Sequence, residues 1–275
     1  MVLAAAARLR TLADTSWPAG PIGAAARRGH ALLAHTPDSL PRYAASALRC
    51  LSCHLDDGTR KNGLMLTGAY ARFPQYRARS GHVDLLADRI NECFRRSLNG
   101  RPLPVDSPEM RDIITYFAWI SRGVGVFDSL SGQGLPKMAP LAGDSARGAV
   151  LFALNCARCH GANGAGLPSD AVALGIGPVP PLWGDRSFNV GAGMARLRTA
   201  AAFIRYNMPF DLPGSLTDQQ AFDIAAYVVS RPRPDLAGKE NDWPNGDPPP
   251  DVAYPTTAAQ KRAAAVPRST PTSAH

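Results

Sequence analysis

The sequence predicts a mainly α-helical protein of two small domains in tandem, joined by a linker. Three observations predict it. The chain has 275 residues, enough for two domains of ordinary size, each with its own core. A C-x-x-C-H motif occurs once in each half, at Cys50-Leu51-Ser52-Cys53-His54 and at Cys156-Ala157-Arg158-Cys159-His160. Around each motif the same order recurs: a helical stretch, the motif, an irregular loop and a terminal helix. Domains are placed at 20–122 and 143–235, with a linker at 123–142 and a wrapping, then disordered, C-terminal tail at 236–275. The 25 Gly and 25 Pro suit short helices with long irregular connections.

In the first half a helix is expected over Gly23–His35, with Pro37 and Pro41 beyond its end. Residues 55–80 read as a loop rich in Gly and Arg. A helix follows from Val83 to a stop at Asn99-Gly100. Ser107-Pro108-Glu109 is a cap with Pro at the first helical position, and Ile113, Ile114, Phe117 and Ile120 recur at helical spacing up to Ser121. In the second half Asp144 caps a helix leading into the motif, Gly175–Gly184 is a loop, and a helix covers Ala192–Tyr206. Thr217-Asp218-Gln219-Gln220 is a capping box for a last helix ending near Ser230. After Arg231-Pro232-Arg233-Pro234 the chain is rich in Pro, Asp, Ala and Thr, which predicts the tail. Beyond the motif itself, little sequence repeats between the halves.

The formal net charge of +8 suits nucleic acid, an anionic membrane or an acidic partner. No zinc-finger or helix-turn-helix spacing accompanies it, so no nucleic-acid partner is expected. No segment reaches the ~18 apolar residues that span a membrane. Residues 1–7 are apolar but short and lack a basic start, which makes a poor secretory leader.

Two thioether bonds need two cysteines on one turn of chain, and the histidine that follows is placed to ligate iron. C-x-x-C-H therefore reads as c-type haem attachment. A zinc ribbon would need a matched second pair within a short span, whereas these pairs lie 156 − 50 = 106 positions apart. Two covalent haem c groups are predicted, on Cys50 and Cys53 and on Cys156 and Cys159, with His54 and His160 as iron ligands. The layout is that of small c-type cytochrome domains. Such attachment takes place outside the cytoplasm in bacteria, so a periplasmic location is expected.

The second axial ligand decides what each haem does. In the second domain Met208, followed by Pro209 just ahead of the last helix, is favoured over Met194, which suits packing. In the first domain Met65, His82, Met110 and Cys93 all remain candidates. Cys93 is the cysteine left over from the two motifs. Helical spacing puts Arg89, Cys93 and Ser97 on one face, with Arg96 beside them. A thiol, cations and a hydroxyl on one face suit a sulfur-containing anion; the alternative is a solvated basic stripe.

The residues Cys50-Leu51-Ser52-Cys53-His54-Leu55-Asp56, Tyr70-Ala71-Arg72-Phe73-Pro74-Gln75-Tyr76-Arg77-Ala78-Arg79-Ser80-Gly81 and Asp88-Arg89-Ile90-Asn91-Glu92-Cys93-Phe94-Arg95-Arg96-Ser97-Leu98-Asn99-Gly100 resemble the tetrathionate-forming thiosulfate dehydrogenases, periplasmic dihaem cytochromes c. Gly191-Ala192-Gly193-Met194 and Tyr206-Asn207-Met208-Pro209 extend the likeness into the second half. The resemblance implies a catalytic first haem with His54 and Cys93 as axial ligands, and a second, electron-transfer haem. It implies oxidation of two thiosulfate to tetrathionate, a reaction whose direction can reverse. The family's substrate arginines map onto Arg79 and Arg89, its serine onto Ser97, and Gln75 lies in the same motif. Some relatives carry Lys before the distal Met; Asn207 stands there here, which implies plain His160/Met208 ligation. The expected partner is a soluble or membrane-linked electron acceptor, such as another cytochrome c or a high-potential iron-sulfur protein. Two other readings stand beside it: the dihaem subunit of a sulfur-oxidising complex, and a pure dihaem electron carrier.

Overall fold

The computed structural model describes residues 17–126, 128–167 and 178–265. Its principal elements are α1 (Gly20–Ala34), β1 (Gln75–Arg77), β2 (His82–Asp84), α2 (Leu86–Arg96), α3 (Pro108–Ile120), α4 (Ser145–Asn155), α5 (Leu197–Asn207), α6 (Asp218–Val229) and α7 (Thr257–Ala265). Short helical turns carry the two motifs, at Cys50–Ser52 and Ala157–His160. The terminal helix of each half crosses the first helix of that half: α3 lies on α1, and α6 on α4.

The same device makes both crossings. A Cβ on Gly29 would meet the Asp112 carbonyl oxygen at 2.1 Å, and one on Gly148 would meet that of Asp223 at 1.9 Å. Only glycine lets the two backbones approach this closely. The preceding arginine then clamps the same aspartate. Arg28 donates to Asp112 at 2.7 and 2.8 Å, and Arg147 to Asp223 at 2.9 and 3.0 Å. Tyr116 and Tyr227 follow their aspartates by one turn and cover the glycines. The duplication thus extends beyond C-x-x-C-H, to an Arg-Gly pair and an Asp-Ile-x-x-Tyr stretch, which a scan for contiguous identity passes over.

Asp223 is 2% exposed and also accepts from the Asp144 backbone N–H and the Gln219 amide. Burial alone would raise its pKa, but Arg147, the Asp144 N–H and Gln219 outweigh that and lower it. A lowered folded-state pKa contributes stability above the unfolded value, about 4, and loses it as pH falls through the folded value. Asp223→Asn should therefore lower the melting temperature near neutral pH and flatten its acid dependence. Thermal melts between about pH 2 and pH 6 check this against the wild type.

Two helix boundaries differ from expectation. Residues 75–84 form an antiparallel hairpin with Gln75 opposite Asp84 and Arg77 opposite His82. Three-residue strands are too short to show alternation, so the sequence reads as loop there. The helix expected from Val83 begins instead at Leu86, because the Asp88 carboxylate accepts the Leu85 N–H at 2.8 Å and caps that end. It ends at Arg96, and the chain turns at Asn99, whose φ is +47°. In the second half a 3-10 turn at Gly193–Ala195 precedes α5. The caps at Ser107, Asp144 and Thr217 all accept backbone N–H groups as expected.

The halves are joined by polar contacts as well as by chain. Asn189, 1% exposed, donates to the Arg95 carbonyl and to Asn99 at the end of α2. Beyond Pro234 the chain returns to the first half. Arg96 makes a bidentate pair with Asp242 at 2.8 Å, and Asp242 also accepts the Tyr254 hydroxyl at 2.6 Å. Residues 266–275, expected to be disordered, lie outside the described residues, as do 175–177 of the loop expected over Gly175–Gly184.

Candidate functional site

No two of the five cysteines are joined in a disulfide. In the first half Cys50, Cys53, His54 and Cys93 converge. The Cys50 backbone N–H donates to the buried Thr36 hydroxyl, which fixes the start of the motif. The His54 Nδ1 pairs with the Leu64 carbonyl. Leu64 holds a left-handed backbone, φ +55°, which is strained for a bulky residue and aims that carbonyl at the ring. With Nδ1–H committed, Nε2 is the ring nitrogen left to ligate a metal. It belongs to an imidazole within hydrogen-bonding reach of Cys93, which approaches from α2.

The electrostatics separate the three thiols. Burial pushes Cys50 and Cys53 up to about 12, an environment that disfavours charge on the motif sulfurs. Burial would raise Cys93 too, but the Arg89 charge and the His54 ring overcome it and bring Cys93 down to about 6. Arg89 Nη1 lies 3.0 Å from the Cys93 sulfur. Cys93 is therefore a thiolate at neutral pH, the form that binds metal and reacts with sulfur compounds.

Met110 is fully buried in the first core and Met65 is 4% exposed. His82 is exposed and paired with Asp84 at 3.0 Å. The expected neighbour Arg96 belongs elsewhere: its guanidinium is taken by Asp242 and Glu92. Arg79 donates to the Gly191 carbonyl at 2.8 Å and stacks 4.7 Å from the Trp243 ring centre, so its bonds run to the second half and the returning segment. Gln75 accepts from Arg77 at 3.2 Å. Ser97 caps α2, its N–H donating to the Cys93 carbonyl at 2.9 Å. Two further arginines, Arg72 and Arg77, feel the charge of Arg89, and Arg77 that of Cys93 as well.

In the second half Cys156, Cys159, His160 and Met208 line one cavity of about 340 Å³. His160 repeats the arrangement of His54, with Nδ1 held by the Pro180 carbonyl at 3.0 Å. Burial lowers its pKa and keeps the ring neutral, as metal ligation requires. Met194 also borders the cavity but packs against the first core. Asn207, just before Met208, is fully buried, and its amide nitrogen donates to the Asn62 carbonyl at 2.7 Å and the Phe203 carbonyl at 3.2 Å, while its amide oxygen has no hydrogen-bond partner. Leu51, Ser52 and Cys53 of the first motif form part of the cavity wall, so the two attachment sites share a boundary.

These residues fit a thioether-bound porphyrin at each motif. The second cavity is walled by apolar side chains such as Phe152, Leu182 and Phe203. Two arginines, one lining the cavity and one bonded to the Leu182 and Val228 carbonyls at its wall, lack an anionic partner. Arg49 faces the cavity with only the Ala34 and Pro178 carbonyls as acceptors. Arg233 has a buried Nε–H without an acceptor, and burial brings its pKa down to about 10. Porphyrin propionates supply the missing charge.

Two helical units, each with a thiol pair and a following imidazole at an apolar cleft, define a c-type cytochrome. Residues 42–126 match the SoxA/TsdA cytochrome c domain, and residues 145–232 match the cytochrome c family, which together indicate haem c as cofactor. The thiosulfate dehydrogenase of Psychrobacter arcticus is 42% identical over 240 residues, covering 87% of this chain and 72% of that protein. That of Allochromatium vinosum is 42% identical over 223 residues, covering 79% of this chain and 81% of that protein. The solved thiosulfate dehydrogenase (TsdBA) of Marichromatium purpuratum, as isolated, is 36% identical with a TM-score of 0.78, over 86% of this chain. This chain spans about half, 51%, of that longer one. The chain belongs to the thiosulfate dehydrogenase family.

Proposed function

We propose that the chain oxidises two thiosulfate to tetrathionate, with one covalent haem c at each C-x-x-C-H motif. The observation that carries this is the Cys93 thiolate, paired with Arg89 at 3.0 Å and facing His54. An electron carrier with no substrate has no need of a charged, reactive thiolate at one of its centres. When bound, the haems supply one-electron acceptors, the first held by Cys50, Cys53, His54 and Cys93, the second by Cys156, Cys159, His160 and Met208.

The residues do the sulfur chemistry. Arg89 holds Cys93 as thiolate and offsets the charge of an approaching dianion. The Cys93 sulfur bonds to the sulfane sulfur of one thiosulfate, and two electrons leave. A second thiosulfate attacks that same sulfur, forms the central S–S bond of tetrathionate and returns Cys93 as thiolate. No proton moves, and the sum is two thiosulfate dianions giving one tetrathionate dianion and two electrons. Gln75 and Ser97 flank this site on the hairpin and at the end of α2, and Arg79 closes it against the second half. Run backwards, the same steps reduce tetrathionate. With the haems bound, the anionic sulfur of Cys93 would lower the potential at the first centre and the Met208 thioether would raise it at the second. That ordering would favour electron passage from the first centre to the second and on to an acceptor such as another cytochrome c or a high-potential iron-sulfur protein. The site of action is the periplasm.

Thiosulfate with ferricyanide, added to the purified haem-loaded chain, tests the proposal. Tetrathionate formation by the isolated chain supports it. Turnover only with a cysteine on a carrier protein favours the subunit of a sulfur-oxidising complex, and no turnover with either leaves an electron carrier. Met208→Gly should shift the second centre's potential and slow electron release while both haems stay attached. A Met-ligation charge-transfer band that survives in this variant would assign the ligand to Met194.

A further inference from the structure

Two arginines that feel the charge of Arg89 have no adequate partner. Arg72, at the end of the turn Ala69–Arg72, has a buried Nε–H without an acceptor. Among the described residues no carboxylate lies within ion-pair distance of Arg72, Arg77 or Arg89. The side chain of Arg77 has only the neutral Gln75 oxygen, at 3.2 Å. The nearby acids are engaged: Asp84 by Ser80 and His82, Glu92 by Arg95 and Arg96. Burial lowers the pKa of both Arg72 and Arg77, and repulsion from Arg89 lowers each further. Desolvated cations that repel one another and lack counter-charge are costly unless an anion joins them.

Building on the proposed reaction, the geometry points to a second anion subsite, in which Arg72 and Arg77 grip the sulfonate end of the incoming thiosulfate while Arg89 stays with the Cys93 thiolate. The reaction itself demands such a site. At the moment of S–S formation a thiosulfate dianion meets sulfur that already carries the first sulfonate, and Arg89 is committed to Cys93. A sulfonate presents three oxygens, which suits two planar guanidinium forks. The hairpin explains the placement of Arg77, since β1 carries it and pairs with β2, which leads into α2, while the turn just before β1 carries Arg72. No bond is made or broken at this subsite. Its work is to bind and to orient.

The test uses the full haem-loaded chain and two readouts besides turnover. With the protein reduced electrochemically, so that it can accept no electrons, calorimetry should count two thiosulfate bound per wild-type chain. Arg72→Gln and Arg77→Gln should each lose one of them and raise KM for thiosulfate by about tenfold, the cost of a charge-assisted hydrogen bond. Arg77→Lys should recover part of that loss. The potential of the first centre should not move. If KM and stoichiometry stay at wild-type values while that potential shifts, the arginines hold porphyrin carboxylates and the subsite is overturned. One thiosulfate per wild-type chain overturns it equally. If the wild type binds two thiosulfates yet forms no tetrathionate, the subsite stands and the activity proposed above fails.

Discussion

Cys93→Gly should retain both haems yet lose thiosulfate oxidation, to less than about a hundredth of wild type. The variant leaves the four motif cysteines, and with them the proposed haem attachment, untouched. What it removes is the only thiol that the structure makes anionic. Burial disfavours charge at every sulfur of the first centre, and Cys93 alone has a guanidinium at 3.0 Å to reverse it. Cys93→Met is the sharper variant, because it restores a sulfur ligand without a nucleophile. It should raise the potential of the first centre, as exchange of thiolate for thioether does, and stay inactive. Near-normal turnover in Cys93→Gly would show that oxidation takes place without the thiolate.

Arg89→Gln should cost roughly 10²–10³ in turnover, the loss typical of one preorganised charge-stabilising donor in a buried site. Two effects add. Burial of Cys93 loses its main counterweight, so less thiolate is present at neutral pH, and the dianion loses the cation nearest the reacting sulfur. Arg89→Lys should recover only part, since an ammonium keeps the charge without the planar fork. Steady-state kinetics with intact haem spectra check the prediction. Unchanged turnover in Arg89→Gln would remove the electrostatic basis of the proposed chemistry.

The parts of this molecule that were legible in sequence are those whose chemistry imposes spacing. Thioether attachment requires C-x-x-C-H, and a helix face requires i, i+4, so both motifs and the Arg89–Cys93 pair could be read directly. Cys93 also stood out by subtraction, as the cysteine without a motif. What was hidden depends on contacts between distant positions. Arg96 reads as a neighbour of Cys93 until the chain returns 146 positions later with Asp242. Asn207 reads only as the residue ahead of Met208 until its amide nitrogen meets the Asn62 carbonyl, 145 positions away. Arg72 and Arg77 sit on a single turn and a three-residue strand, segments too short to carry a periodicity. The Arg-Gly and Asp-Ile-x-x-Tyr repeats escaped because each is brief, and their common purpose, the close helix crossing, appears only when the helices are assembled.

The central claim is that Cys93 is a thiolate at the first centre, opposite His54. Low-temperature EPR of the oxidised, haem-loaded chain tests it most directly. Two low-spin species are predicted, one with the signature of thiolate ligation, and that one should vanish in Cys93→Gly while the His160/Met208 species persists. A wild-type spectrum with no thiolate-ligated signal, or one that Cys93→Gly leaves unchanged, would contradict the account.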